Sequence, residues 1–168
     1  MSLHEITLTV NSAVHRGLVP ARLSLVDFLR EGLLLTGTHA GCEHGVCGAC
    51  SILLDGVPMR SCLLFAVQAD GCAITTVEGL APGPEGLSVL QDSFWETHAL
   101  QCGFCTPGML IAAQALLQST LTPSDEEIRE AIGGNLCRCT GYKQIVDAVK
   151  LAADRLRGSN RAEGGVQP

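Results

Sequence analysis

The amino-acid sequence predicts an α+β chain in two parts: a small sheet crossed by one helix, then an all-helical half. Three observations carry that reading. Apolar residues alternate with period two at the N-terminus, and they recur every three and four positions through the C-terminal half. Between these regions lies the Gly/Pro-rich stretch EGLAPGPEG, residues 78–86. The predicted division is residues 1–78, a linker at 79–87, a helical part at 88–158 and a disordered tail at 159–168.

In chain order, Ile6, Leu8 and Val10 share one face of a first strand, Asn11-Ser12 suits a turn, and Val14 to Val19 return as a second. Ser24 with Asp27 three positions on opens a short helix whose apolar stripe is Leu25, Phe28 and Leu29. Ser51 to Leu54 and Val57 to Arg60 flank Asp55-Gly56, a two-residue hairpin signal, and a last strand lies near Ala73 to Val77.

Beyond the linker, Ser88 caps a helix carrying Leu90 and Phe94. Thr106 as cap and Pro107 at the first helical position lead into Met109, Ala112, Ala113, Leu116 and Leu117. Ser124 and Glu127 form a capping box, and Gly133-Gly134 close that helix. A fourth helix runs from about Tyr142 to Arg157 on Ile145, Val149, Ala152 and Leu156, stopping at Gly158. The half thus repeats helix, cysteine pair, helix. Folding the two hairpins face to face as a four-helix bundle brings Cys102/Cys105 and Cys137/Cys139 to one end.

Composition narrows the function. Of 168 residues only 17% are charged, against roughly 25% in a typical soluble domain, so apolar surface is expected to be covered by another chain. A net charge of -6 with 11 basic residues and no Lys/Arg run gives no footprint for nucleic acid. The longest nearly apolar stretch, Met109 to Leu117, is far short of the roughly 18 residues of a membrane span. The N-terminus reads as a strand and not as a secretory signal, so the expected location is cytoplasmic. Nine cysteines in a reducing compartment point to metal or redox chemistry rather than disulfides.

Cys42, Cys47, Cys50 and the later Cys62 have the plant-type ferredoxin spacing for a 2Fe-2S cluster. Gly41, Gly45 and Gly48 suit a loop that wraps an anionic cluster and aims backbone N–H groups at its sulfurs. Zinc competes for the second group, Cys102, Cys105, Cys137 and Cys139, although one residue between the last two is unusual for it. Cys42/Cys47/Cys50 fits zinc badly. Cys105 and Cys139 each directly precede a helix start, so both pairs sit where free N–H groups and the helix dipole favour an anion. His44 with Cys42 raises a Rieske centre, but that needs a Cys-x-x-His pair, which is missing, so His44 reads as a loop residue. Arg138 either raises the second cluster's potential or is an exposed helix-start residue. Cys72 could replace Cys62; a buried free thiol is the preferred reading.

With these residues in view, "GCEHGVCGAC" with "RSC", then "QCGFCTPGM" and "GGNLCRCTGY", closely resemble the small iron-sulfur subunit of the molybdenum hydroxylases, the xanthine oxidase family. The resemblance covers residues 3 to about 157 and departs at none of the eight cysteines. It implies a β-grasp ferredoxin-like domain followed by a helical bundle, each with one 2Fe-2S cluster. It places the helical cluster beside the pterin of the molybdenum cofactor, approached by Gln101 and Cys139, and the other cluster toward a flavin. The implied partners are a large subunit with molybdopterin in the cytosine dinucleotide form and a medium FAD subunit, in a dimer of heterotrimers. The implied function is an electron relay: substrate is hydroxylated with water-derived oxygen on another chain, and electrons pass singly to FAD. Substrates in such three-subunit bacterial enzymes include N-heteroaromatics such as quinoline or isoquinoline, carbon monoxide, nicotinate and aldehydes; an N-heteroaromatic is preferred here. A free-standing two-cluster ferredoxin and a zinc-stapled interaction module are the alternatives.

Overall fold

The computed structural model describes residues 2–83 and 86–163. Strands β1 (Leu3–Val10) and β2 (Ala13–Pro20) form the expected hairpin, with Asn11 and Ser12 both at positive φ (49° and 69°) as a tight turn demands. Alternation holds on β1: Ile6, Leu8 and Val10 are buried. Ser24 caps α1 (Leu25–Asp27) by accepting from the Asp27 N–H, and the chain continues as a π-helical turn, Phe28–Gly32. Then follow β3 (Ser51–Leu54), the Asp55-Gly56 turn, β4 (Val57–Arg60) and β5 (Ala73–Thr75). The expected strand to Val77 ends early, because residues 77–80 turn into a 3-10 helix.

The sheet order is β2-β1-β5-β3-β4. The last strand inserts between the two hairpins, parallel to β1 and antiparallel to β3. One core lies beneath this ferredoxin-like sheet, built from Ile6, Leu8, Ile52 and Ile74 on the strands with Leu25, Phe28 and Leu29 on the helical turn.

The second core belongs to α2 (Val89–Glu96), α3 (Thr106–Ser119), α4 (Asp125–Gly133) and α5 (Lys143–Glu163). Ser88 and Ser124 make reciprocal capping boxes with Gln91 and Glu127. Ile145, Val149 and Ala152 are buried together with Phe94, Met109, Ile128 and Ile132, and Leu156 packs against them. Each large aliphatic side chain so buried contributes roughly 1.5–3 kcal/mol, so this shared core, not helix propensity, holds the helices together.

Three local expectations change. Thr106 is not the cap of α3: Cys105 takes that place in a helical conformation (φ -81°, ψ -15°), so Thr106 already lies inside the helix and makes no cap bond. Gly134 closes α4 without a left-handed turn, at φ -78°. Finally, α5 starts at Lys143 and runs through Gly158 to Glu163, since one glycine costs a helix only about 1 kcal/mol. The expected disordered tail therefore begins in helix, and its residues 164–168 lie outside the described residues, as do 84 and 85 of the linker.

Candidate metal centres

The loop between the π turn and β3 carries the first cysteine group. The Cys47 N–H donates to Cys42 Sγ at 3.3 Å. That bond, together with the His44 N–H, lowers the Cys42 thiol to a pKa of about 6. The His44 ring nitrogen Nδ1 meets the Cys42 carbonyl, so the imidazole is engaged with the loop's own backbone. Gly45 and Gly48 have φ of +82° and +77°; Gly41 does not need the left-handed region.

Pairing of β3 with β4 sets Ser51 opposite Arg60, which brings the short turn Ser61–Leu63 alongside Cys50. The Ser61 hydroxyl and N–H both donate to the Cys50 carbonyl, at 2.8 and 3.2 Å. Cys62 therefore sits beside Cys50, and burial, followed by the Cys50 thiol, pushes its pKa up to about 11. Cys72 is elsewhere, at the start of β5, half-buried rather than buried. Burial first, then Asp55 and Asp70, raise its thiol.

The helical half gathers the second group at one end. Cys139 Sγ lies 3.5 Å from Cys102 Sγ, and both side chains are exposed. Cys105 is buried at the start of α3 and faces Cys137; burial and then the Cys137 thiol push it up to about 12. Cys137 is also disfavoured as a thiolate by burial, yet the Thr140 hydroxyl (3.1 Å) and N–H (3.4 Å) aim at its sulfur and lower its pKa overall. The Thr140 N–H, ahead of α5, thus serves the Cys137/Cys139 pair through Cys137. The Cys139 thiol is raised, chiefly by Cys102. Arg138 is exposed, and so is Gln101 beside Cys102.

The two groups meet across a tight junction. The Leu136 N–H, one residue before Cys137, donates to the Cys47 carbonyl at 2.8 Å. Arg60 reaches from β4 to the Ser51 hydroxyl (2.5 Å) and to the Gly134 carbonyl (2.6 Å), while Ser51 Oγ holds the Gly48 carbonyl at 2.6 Å. His39 stacks on Phe104 with ring centroids 4.9 Å apart. The Tyr142 hydroxyl accepts from the Cys137 N–H (2.9 Å) and donates to the Asn135 carbonyl (3.2 Å).

Each cysteine group suits an anionic sulfur cluster. All nine cysteines are free thiols, and backbone N–H groups already point at Sγ in both groups. Four buried side-chain polar atoms have no hydrogen-bond partner among the described residues: Thr38 Oγ1, Thr106 Oγ1, Asn135 Oδ1 and Asn135 Nδ2. Thr106 directly follows Cys105, so its unpaired buried hydroxyl is a donor that a cluster sulfur there would accept from. Among the described residues, no three His, Cys, Asp or Glu side chains close around a single ion.

The cysteines, Gln101, His44 and Arg138 stood out in the sequence. Arg60, Ser51, Asn135, Leu136 and Tyr142 did not, although several lie inside the same motifs. A residue beside a cysteine carries no mark in the sequence of which group crosses to the other half; only the folded contacts show it.

Comparison with known proteins agrees with this geometry. Residues 10–76 match the 2Fe-2S iron-sulfur cluster binding domain, and residues 76–150 match the [2Fe-2S] binding domain. The chain is 57% identical over 154 residues to the caffeine dehydrogenase subunit gamma of Pseudomonas sp. strain CBB1, covering 89% of this chain and 91% of that one. It is 52% identical over 156 residues to the nicotine 6-hydroxylase small subunit of Paenarthrobacter nicotinovorans, covering 93% of each. Its structure matches a chain of quinoline 2-oxidoreductase from Pseudomonas putida 86 with a TM-score of 0.89 and 54% identity, over 93% of this chain and 97% of that one. The aldehyde oxidoreductase of Desulfovibrio desulfuricans matches at 0.88 and 44% identity; this chain covers only 17% of that larger polypeptide. The chain therefore belongs to the small 2Fe-2S subunits of the xanthine oxidase family of molybdenum hydroxylases, oxidoreductase complexes whose catalysis takes place on other chains.

Proposed function

We propose that this subunit carries electrons, one at a time, from the molybdenum-pterin centre of a large partner subunit to FAD on a medium one. Cys102, Cys105, Cys137 and Cys139 hold the cluster that receives them, and Cys42, Cys47, Cys50 and Cys62 hold the cluster that hands them on. When bound, each 2Fe-2S cluster supplies a one-electron carrier whose potential depends on its hydrogen bonds and solvent exposure.

The observation that most supports this reading is the placement of the helical group. Cys102 and Cys139 are exposed together, beside Gln101, with the apolar Phe104 (48% exposed) and Leu136 (55%) on the flanking loops. Apolar surface around a redox centre suits a permanent partner better than a transient one. Gln101 and Cys139 are the residues that approach the pterin in this reading. The chain's own residues fix the thiols, aim N–H groups at sulfur and hold the two loops at one separation through Leu136 and Arg60.

The finer organisation follows: a β-grasp domain at 1–78, a linker at 79–87 and a four-helix bundle at 88–158, in a cytoplasmic dimer of heterotrimers with the cytosine dinucleotide form of molybdopterin. An N-heteroaromatic substrate is the best-supported choice for the holoenzyme, since relatives are named for caffeine, nicotine and quinoline. Iron and acid-labile sulfide analysis tests the reading, with about four of each expected per chain from two diiron clusters. Co-purification with molybdopterin and FAD chains tests the partners. A colourless chain holding zinc and no sulfide would refute it, and a soluble, active monomer would favour the independent ferredoxin.

A further inference from the structure

Asn135 is 2% exposed, and neither Oδ1 nor Nδ2 of its carboxamide has a hydrogen-bond partner among the described residues. An orphaned buried polar group costs roughly 1–3 kcal/mol, so a leucine of similar size would serve folding at least as well. Its neighbours are specific. Oδ1 lies against the Cα of Gly48, inside the Cys47–Cys50 loop, and a Cβ built on Gly48 would overlap it. Nδ2 faces Gly108 in the first turns of α3, just beyond Cys105, where a Cβ would come within 3.0 Å of it. The Gly48 carbonyl is itself packed on Gly108. The amide therefore lies where the Cys47–Cys50 loop meets the start of α3, with Oδ1 on the Gly48 side and Nδ2 on the Gly108 side.

We propose that Asn135 is a positioning residue shared by both cluster loops, its buried dipole shifting the potentials of the two clusters in opposite senses. This rests on the relay reading above. Around a side chain this buried, partial charges are less screened than at the surface. The positive Nδ2 end favours the more negative, reduced state of the cluster held by Cys102, Cys105, Cys137 and Cys139. The Oδ1 end disfavours reduction of the cluster held by Cys42, Cys47, Cys50 and Cys62.

The test is Asn135→Leu in the holoenzyme, with each cluster's midpoint potential read by an EPR-monitored redox titration and thermal stability measured alongside. The expected result is two retained clusters, an unchanged or higher melting temperature, a lower potential at the helical-half cluster and a higher one at the other. Unmoved potentials, or two shifts of the same sign, would overturn the proposal. If Asn135→Leu fails to hold its clusters, Asn135→Ala decides: it deletes the amide without adding a charge, so opposite shifts at the two clusters support the dipole, and unmoved potentials or two shifts of the same sign overturn it. The relay reading fails separately, if the wild-type protein shows fewer than two EPR signals.

Discussion

Glycine substitutions can separate backbone strain from collision at the junction between the two halves. Gly48 has φ +77°, and a Cβ there would lie 2.6 Å from the Gly134 carbonyl oxygen and 2.8 Å from the Asn135 Cα, besides overlapping the Asn135 amide. Two of these are backbone atoms, which cannot step aside as the end of a side chain can. Gly48→Ala should therefore cost about 1–2 kcal/mol for left-handed strain and about 1–3 kcal/mol for overpacking, roughly 2–5 kcal/mol together.

Gly56, at φ +83° with nothing within 4 Å of a Cβ, carries the strain alone. Gly56→Ala should cost about 1–2 kcal/mol. Gly108 carries the collision alone: its Cβ would overlap the Gly48 carbonyl oxygen, but its φ is unstrained and alanine gains about 1 kcal/mol in a helix. The assay is thermal unfolding with iron content measured on the same samples. At roughly 2–4 °C per kcal/mol, Gly48→Ala should melt several degrees below Gly56→Ala. It should also bind less iron, because the displaced Gly134–Leu136 segment leads directly into Cys137. A Gly48→Ala protein as stable as Gly56→Ala would show that the halves do not pack as described.

Three further outcomes follow. Cys137→Ser removes a thiol from the helical group and should block flavin reduction by substrate while leaving the EPR signal of the Cys42/Cys47/Cys50/Cys62 cluster; loss of both signals would mean that the halves fold as one unit. Tyr142→Phe leaves the Cys137 N–H and the Asn135 carbonyl without the phenol; it should cost about 1–3 kcal/mol and hasten loss of the helical-half cluster to a chelator, and an unchanged release rate would count against the role given to the phenol. Arg60→Met keeps the apolar stem but deletes the bonds to Ser51 and the Gly134 carbonyl. It should lower stability by about 1–3 kcal/mol, read by urea unfolding, and no loss would mean that Arg60 does not clamp the halves.

Local signals in the sequence proved sound where the interaction spans a few residues. Asn11-Ser12 and Asp55-Gly56 turn as written, and Ser24, Ser88 and Ser124 cap their helices, because a turn or cap is completed within four positions. The helix-start signal at Thr106 and the helix-stop signal at Gly158 failed by small margins, where a cysteine already held in helical conformation and a continuous apolar stripe outweighed propensities of about 1 kcal/mol.

By itself, then, the sequence determined the two element patterns, the spacing of the eight cysteines and, through them, the class of cofactor. Tertiary structure alone decided that β5 enters between β1 and β3, that Cys62 and not Cys72 stands beside Cys50, and that Arg60 and Leu136 lock the two loops together. The physical reason is separation along the chain: Arg60 and the Gly134 carbonyl are 74 residues apart. Such contacts form only once two hydrophobic cores have settled, and no local propensity records them.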